Sequence, residues 1–312
     1  MRIYQDLSEV PYNKNTVLTL GTFDGIHLGH KQIVGEVVRK ASDLGSRSFV
    51  VTFYPHPRNV ISGQNDIRLL STPDEKARMF EEFGIQNLLI IKFTKEFSQL
   101  SPDKFIENYI INGIGAREIV IGYDHHFGRG RGGDIEFLKN KGIDSGFKVT
   151  AVPAFKLDGI TVSSSKIRKA VMEGNLSQAN NFIGRNYSFS GIVIKGDKRG
   201  RELGFPTANL KIENDEKLLP AIGIYAVEVN VKNEKHLGLL SIGKRPTFYA
   251  SGEIVPEVYI YDFNQEIYDE FVVVNLIERI RGEEKFSSTD ELITQMNKDK
   301  KKGMEIFNKL NN

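Results

Sequence analysis

A chain of 312 residues, 40% hydrophobic and 26% charged, has enough apolar material for two cores and the make-up of an ordinary globular protein. Its formal net charge of +2 gives no electrostatic reason to expect a nucleic acid or an anionic membrane as partner, and the absence of cysteine excludes disulfides, thiolate metal sites and cysteine nucleophiles. No apolar run approaches the roughly 18 residues of a membrane span, and the residues after Met1 lack a signal-peptide core, so a reducing cytoplasm is the expected setting.

In chain order, the first half alternates short β-branched runs with amphipathic stretches. Val17–Leu20, Phe49–Phe53, Leu88–Ile91, Ile119–Ile121 and Val149–Val152 read as buried strands. After the first of them, Gly21-Thr22-Phe23-Asp24-Gly25-Ile26-His27-Leu28-Gly29-His30 reads as a turn into a helix that carries Ile33, Val34, Val37 and Val38 on one face. A second helix starts at Thr72-Pro73-Asp74-Glu75, a capping box with proline at the first helical position, and stops at Gly84. A third is expected from Ser101-Pro102-Asp103 to Gly113. Strand–helix alternation predicts a parallel, doubly wound sheet with ligands at the carboxyl ends of its strands.

From about Tyr187 the period becomes two. Tyr225, Val227, Val229 and Val231 share one face of Gly223–Val231, and a Lys232–Lys235 turn leads back through His236–Ile242 as a hairpin. Glu257–Phe263 and Phe271–Leu276 are expected to form another around Asn264-Gln265, which predicts a small antiparallel barrel. A last helix runs from a capping box at Ser288-Thr289-Asp290-Glu291 to about Leu310. The domain boundary is expected near Gly184-Arg185, giving domains 1–184 and 185–312.

Several stretches carry chemistry. His27 and His30 lie three apart at a helix start, beside N–H groups with no intrahelical acceptor, with Gly29 allowing close approach of a phosphate chain: an anion site. His56, in Pro55-His56-Pro57, follows a strand to the same sheet edge. Gly122-Tyr123-Asp124-His125-His126-Phe127-Gly128 follows another. Ser163-Ser164-Ser165-Lys166-Ile167-Arg168 caps a helix with three hydroxyls and two cations, a set suited to a triphosphate. Five of the six histidines lie in this half, yet none has the His-x-x-x-His spacing of a zinc hydrolase. The Arg-Gly run from Gly128 to Gly133 fits a dinucleotide fingerprint only as a pattern, lacks an apolar helix start, and reads as a mobile loop. In the second half, a charged glycine-rich loop, 196–204, runs into Phe205-Pro206-Thr207-Ala208-Asn209. Thr207 and Asn209 alternate along an extended chain, so their oxygens face one way and can serve as hard ligands for magnesium, the alternative being that Pro-Thr-Ala-Asn is a plain strand entry. Glu257 and Asp262 compete as a general base on opposite strand faces. The near P-loop at 238–245 fails because Arg245 replaces the metal-binding hydroxyl.

Together these motifs resemble two modules of one bacterial family. The Gly-Thr-Phe-Asp-Gly-Ile-His-Leu-Gly-His run, the Pro-His-Pro, the Gly-Tyr-Asp and the Ser-Ser-Ser-Lys-Ile-Arg resemble the FMN adenylyltransferase module of bifunctional riboflavin kinase/FAD synthetases. The Pro-Thr-Ala-Asn with its loop, Gly243–Phe248, the Glu257 strand and Arg281–Phe286 resemble the riboflavin kinase module. The resemblance implies an α/β protein: a Rossmann-like nucleotidylyltransferase domain followed by a small antiparallel β-barrel with a terminal helix. It implies that riboflavin plus ATP gives FMN, and FMN plus ATP gives FAD and pyrophosphate, both with Mg2+. His27, His30, Ser164, Ser165 and Arg168 would grip ATP phosphates, with Gly21, Phe23, Asp24, Gly29 and His56 around them. Asp124, Phe127 and Arg281 would meet flavin, and Gly200, Arg201, Gly204 and Pro206 would close over nucleotide. Thr207 and Asn209 would hold the metal, and Glu257 would be the base for the ribityl hydroxyl. Ser165 stands where the family often has threonine; Pro256 and Tyr268-Asp269-Glu270 depart from its usual pattern, and the role of His125-His126 is left open. Riboflavin, FMN, FAD and ATP are thus the expected partners, with neither nucleic acid nor membrane; oligomeric state is left open, a homo-oligomer included. Two rivals are a different nucleotidylyltransferase with an unrelated barrel, against which the Gly-Phe-Pro-Thr-Ala-Asn run speaks, and a non-catalytic flavin-binding regulator, which would lose Glu257 or the histidines first.

Overall fold

The computed structural model describes residues 1–196, 200, 203–244 and 254–310. It divides into two compact units, Met1–Ser164 and Ser165–Asn312.

The first unit is a six-stranded parallel sheet in the order β1-β4-β3-β2-β5-β6. These are β1 (Arg2–Tyr4), β2 (Thr16–Leu20), β3 (Arg47–Tyr54), β4 (Asn87–Lys92), β5 (Glu118–Gly122) and β6 (Lys148–Val152). Alternation splits its core between two faces. Leu18, Phe49, Leu89 and Ile119 pack with Ile106, Ile110 and Leu138 on one face; Val17, Val50, Leu88 and Val120 pack with Val34, Val37 and Phe80 on the other. Helices α1 (Leu28–Asp43) and α3 (Pro73–Glu82) cover the second of these faces, and α3 carries the expected capping box at Thr72 and Glu75. A short α2 (Pro57–Ser62) follows β3, and α4 (Lys95–Ser98) follows β4.

The third expected helix is only partly α. After α5 (Pro102–Phe105), residues Ile106–Ile114 form a π-helix, closed by the Gly115 N–H bonding the Ile110 carbonyl. Ile106, Ile110 and Ile114, four apart, all face the sheet core. The Arg-Gly run is pinned instead of mobile: Phe127 and Gly133 exchange backbone hydrogen bonds of 3.0 Å, and the Arg129 N–H bonds the Leu100 carbonyl at 2.8 Å. Helix α6 (Ile135–Ser145) follows, and a small ribbon of β7 (Lys156–Leu157) and β8 (Ile160–Thr161) precedes the serine run.

The second unit holds α7 (Ser164–Glu173, of which Ser164 belongs to the first unit), α8 (Leu176–Ile183) and a closed antiparallel barrel. Its strands are β9 (Tyr187–Ile194), β10 (Thr207–Ile212), β11 (Gly223–Val231), β12 (Glu234–Lys244), β13 (Ile254–Ile260) and β14 (Phe271–Arg281), ordered β10-β13-β12-β11-β14-β9. Tyr225, Val227, Leu240, Val258, Val274 and Phe189 are fully buried, and α9 (Thr289–Leu310) packs Ile306 and Phe307 against Ala226, Leu239 and Tyr261. The β11–β12 turn is tighter than expected: Val231 pairs with Glu234, and Lys232 and Asn233 take positive φ of 50° and 65°, the geometry of a two-residue hairpin turn. The second expected hairpin does not form. β13 pairs with β10 and β12, while β14 pairs with β11 and β9, because the barrel closes by carrying the chain across its end between the two. Period-two patterning shows that a run is a strand and which face is buried, but not its neighbour. In that crossing, Asp269 adopts φ 63°, a conformation open to glycine and tolerated by aspartate.

Candidate functional site

In the first unit the strand order reverses between β2 and β5, the position where an open α/β sheet leaves a crevice at its strand ends. The Gly21–His30 run leaves β2 there. Its backbone is held off the relaxed regions: Phe23 and Ile26 have φ of 49° and 34°, a strain typical of ligand-binding turns. His27 caps α1, its Nδ1 accepting the His30 N–H at 3.3 Å, which leaves Nε2 as the N–H donor of that ring. The two imidazoles stack with centroids 3.7 Å apart, and a Cβ at Gly29 would meet the His27 ring at 3.3 Å. Phe23 sets its ring edge-on to His30 at 5.2 Å. Burial first, then the charges of His27 and Lys76, holds the His30 imidazole well below its ordinary value, so it is neutral at pH 7, and its Nδ1 is buried without a partner. Ser164 closes onto this turn, donating its hydroxyl to the Asp24 carbonyl at 2.8 Å. Ser165 and Arg168 follow on the first turn of α7, in the second unit.

Other sequence-predicted residues make contacts within the unit. The Asp24 carboxylate is 3% exposed and accepts the Leu70 and Ser71 N–H groups at 2.8 and 3.1 Å, so it ties the 69–71 segment to the turn. His56 caps α2, its Nδ1 accepting the Arg58 N–H at 3.2 Å. Asp124 is exposed just past β5, whereas Phe127 packs in the core against Phe105 and Phe137 and anchors its loop. His125 lies flat over Phe127, its pKa pushed down to about 4 by burial and then by His126 and Arg131. Lys76 went unnoticed in the sequence. It is 4% exposed, and its ammonium donates to the Thr22 carbonyl at 3.2 Å and to Thr52 Oγ1 at 3.4 Å. The available signal was a lysine four residues before the core Phe80, on the apolar stripe of α3.

In the second unit, three residues predicted separately meet on neighbouring strands. Asn209 on β10 stands opposite Glu257 on β13, and Thr207 Oγ1 donates to Glu257 Oε2 at 3.2 Å. Paired residues and their second neighbours share a face, so all three side chains lie on the outer side of the barrel, where Val258 and Ile260 point inward. Glycines make room for them. A Cβ at Gly196 would fall on the Asn209 side-chain amide, and one at Gly200 would lie 3.1 Å from Thr207 Oγ1. The Gly200 carbonyl accepts the Phe205 N–H at 2.7 Å, and Gly204, just before Phe205 and Pro206, has φ 83°. Arg201 and part of the Gly243–Phe248 run lie outside the described residues. Asp262 follows β13 at φ 51°, off the strand that carries Glu257. Arg281 makes a bidentate pair with Asp299 of α9, at 2.8 to 3.0 Å, which engages its guanidinium within the unit.

The donor set suits a hard cation. Thr207 and Asn209 offer neutral oxygens beside one carboxylate, and among the described residues no cluster of three or more His, Asp or Glu could hold a metal unaided. Such a set fits Mg2+ whose other ligands come from a nucleotide's phosphates.

A family model for FAD synthetase matches residues 9–166, and one for riboflavin kinase matches residues 183–307. The bifunctional riboflavin kinase/FMN adenylyltransferase of Listeria monocytogenes is 38% identical over 95% of this chain and 94% of its own. That of Bacillus subtilis is 38% identical over 95% and 93%, and that of Escherichia coli K12 is 32% identical over 98% and 97%. Among solved structures, a Streptococcus pneumoniae protein described as a macrolide-efflux protein matches with a TM-score of 0.87 and 32% identity, over 96% of this chain and 97% of its own. Among the described residues no helix is long and apolar enough to cross a membrane. Both halves and nearly the whole length therefore agree, and the chain belongs to the bifunctional riboflavin kinase/FMN adenylyltransferase family, making FMN from riboflavin and FAD from FMN at the expense of ATP.

Proposed function

We propose that the two activities use separate sites, with adenylylation at the His27/His30 turn of a domain spanning 1–184 and phosphorylation at the Thr207/Asn209/Glu257 cluster of a domain spanning 185–312. One observation carries this reading: Thr207, Asn209 and Glu257, some fifty positions apart in sequence, share one face of two paired strands.

In the phosphorylation step, Glu257 accepts the proton of the ribityl hydroxyl as that oxygen takes the γ-phosphoryl group of ATP, whose bond to the β-phosphate breaks as ADP leaves. The Thr207 hydroxyl orients the Glu257 carboxylate, which a strand holds more firmly than a loop would. Thr207 and Asn209 would hold Mg2+, which when bound neutralises charge on the nucleotide phosphates. Gly200, Gly204 and Pro206 border that nucleotide. In the adenylylation step, the FMN phosphate attacks the α-phosphorus of ATP and pyrophosphate leaves. The step joins two anions, so positioning and charge neutralisation dominate and no protein nucleophile is required. His27 and His30 hold the phosphates with the α1 N-terminus and the Ser164 hydroxyl, and Asp124 meets the flavin. The absence of cysteine, and of a membrane-crossing helix among the described residues, supports a cytoplasmic setting.

The division of labour is tested with riboflavin, FMN, ATP and a magnesium salt, resolving the flavins by chromatography. Glu257→Ala is expected to stop FMN formation and keep FAD synthesis from supplied FMN, and His30→Ala to do the reverse. Loss of both activities in either folded variant refutes separate sites.

A further inference from the structure

We propose that Lys76 is a positioning residue for adenylyl transfer, its buried ammonium locking the phosphate turn from behind and placing a positive charge on the turn's inner side. This rests on the assignment of adenylylation to the His27/His30 turn.

Lysine is almost never fully buried, because removing an ammonium from water is costly unless the charge is used. Here it is 4% exposed, on α3. Its hydrogen-bond partners are the Thr22 carbonyl, within the phosphate turn, and Thr52 Oγ1, near the end of β3. Thr52 Oγ1 in turn donates to the same Thr22 carbonyl at 3.1 Å. Three elements, the turn, β3 and α3, thus converge on one ammonium. A methionine of similar length would fill the space and make none of these bonds.

The charge acts in two directions. Toward the ligand, a cation sheltered from water interacts with a triphosphate far more strongly than an exposed one would. Toward His30, it opposes protonation. The groups facing His30 are His27 and Lys76, both of which disfavour the imidazolium, and burial acts in the same sense. Lys76 itself is brought down to about 8 by burial, against the opposing attraction of Asp24. At neutral pH the site therefore pairs a charged Lys76 with a neutral His30.

The test uses the full-length enzyme, supplied FMN, ATP and a magnesium salt, with kcat/KM for ATP measured from pH 5.5 to 10. Riboflavin phosphorylation in the same samples reports that the chain is folded. The wild type should lose adenylylation on the alkaline side as Lys76 gives up its proton. In Lys76→Met, kcat/KM should fall about tenfold or more, the alkaline limb should vanish, and the acid limb should move to higher pH because His30 is relieved of a neighbouring charge. Lys76→Arg should recover part of the rate and lack the alkaline limb, since a guanidinium keeps its proton. A Lys76→Met enzyme with the wild-type profile overturns the proposal. Should that variant also lose the kinase activity, Thr52→Val decides: loss of an acceptor for the ammonium should move the alkaline limb to lower pH, and an unmoved limb overturns the proposal. His30→Ala separates the two ideas. If it spares FAD synthesis, the site assignment has failed; if it blocks FAD synthesis while Lys76→Met keeps the wild-type profile, only the role of Lys76 has failed.

Discussion

Thr207 donates its hydroxyl to Glu257 at 3.2 Å across the β10–β13 pair, so in the proposed kinase site one side chain would both offer oxygen to a cation and aim the base. Removing that hydroxyl has two effects of different size. The lost hydrogen bond costs about 1 kcal/mol of stability, whereas a base free to turn away loses rate directly. Thr207→Val should therefore lower FMN formation about ten- to a hundredfold, with FAD synthesis from supplied FMN unchanged and thermal unfolding shifted by only a few degrees. Thr207→Ser should recover most of the rate. A Thr207→Val enzyme as fast as wild type would remove Thr207 from the site.

The room given to Asn209 by Gly196 yields a sharper test, because the substituted residue carries no functional group. A Cβ at Gly196 would coincide with the Asn209 side-chain amide, and Asn209 is buried, with little space into which to retreat. Gly196→Ala should displace the amide and reduce FMN formation by about tenfold or more, again sparing FAD synthesis. Full kinase activity in this variant would show that the position of the Asn209 amide does not matter to phosphoryl transfer.

The two sites differ in how much of them could be read without coordinates. The His27/His30 turn is local: glycines, histidines and a strand end lie within ten residues, and the cap residue His27 stacks on His30 in the first turn of α1. The doubly wound sheet follows from alternation of apolar runs and capping boxes. Lys76 was hidden because its role depends on Thr22 and Thr52, 54 and 24 positions away, and nothing around it in sequence points to them. The kinase cluster was legible as residue types, but its assembly was not, since pairing β13 with β14 would have put Glu257 on a different neighbour than Asn209. Arg281 shows the same limit: its motif suggested flavin, while its guanidinium is held by Asp299.

Two neutral, sheltered imidazoles set the acid side of the stability curve. His30 lies well below its ordinary 6.5 and His125 at about 4, both chiefly through burial. An unfolded chain takes up these protons near pH 6.5, while the folded chain refuses them until lower pH. The stabilisation is therefore complete above about pH 6.5 and is lost as pH falls below it, at up to about 1.4 kcal/mol per pH unit for each histidine. Carboxylates do not confuse this window. Glu36, hydrogen-bonded by Arg39, and Glu118, where burial is outweighed by hydrogen bonds from Lys40 and Thr150, are held below the ordinary 4.5, so their stabilisation is present throughout this window and is lost only below it. Urea unfolding between pH 5 and 6.5 should show the decline, and His125→Phe, which keeps the packing over Phe127, should make it shallower. Stability rising on acidification in this range would contradict the assigned environments.

The last prediction concerns the tie between barrel and terminal helix. Asp299 is 4% exposed, receives Arg281 through Nε and Nη2, and accepts a further bond from Gln295 at 2.9 Å. Its partner is also sheltered, with 14% of the Arg281 side chain exposed, so truncating one member strands a charge. Asp299→Ala should cost about 3 to 5 kcal/mol and lower the melting temperature of the barrel by roughly 10 °C. Replacing both partners, as Asp299→Leu with Arg281→Met, should recover much of that loss, because the desolvation penalty disappears with the charges. Arg281→Lys distinguishes a structural tie from a flavin contact. As a tie, it loses the bidentate geometry and melts earlier with an unchanged KM for riboflavin; a raised KM at an unchanged melting temperature would return Arg281 to the flavin.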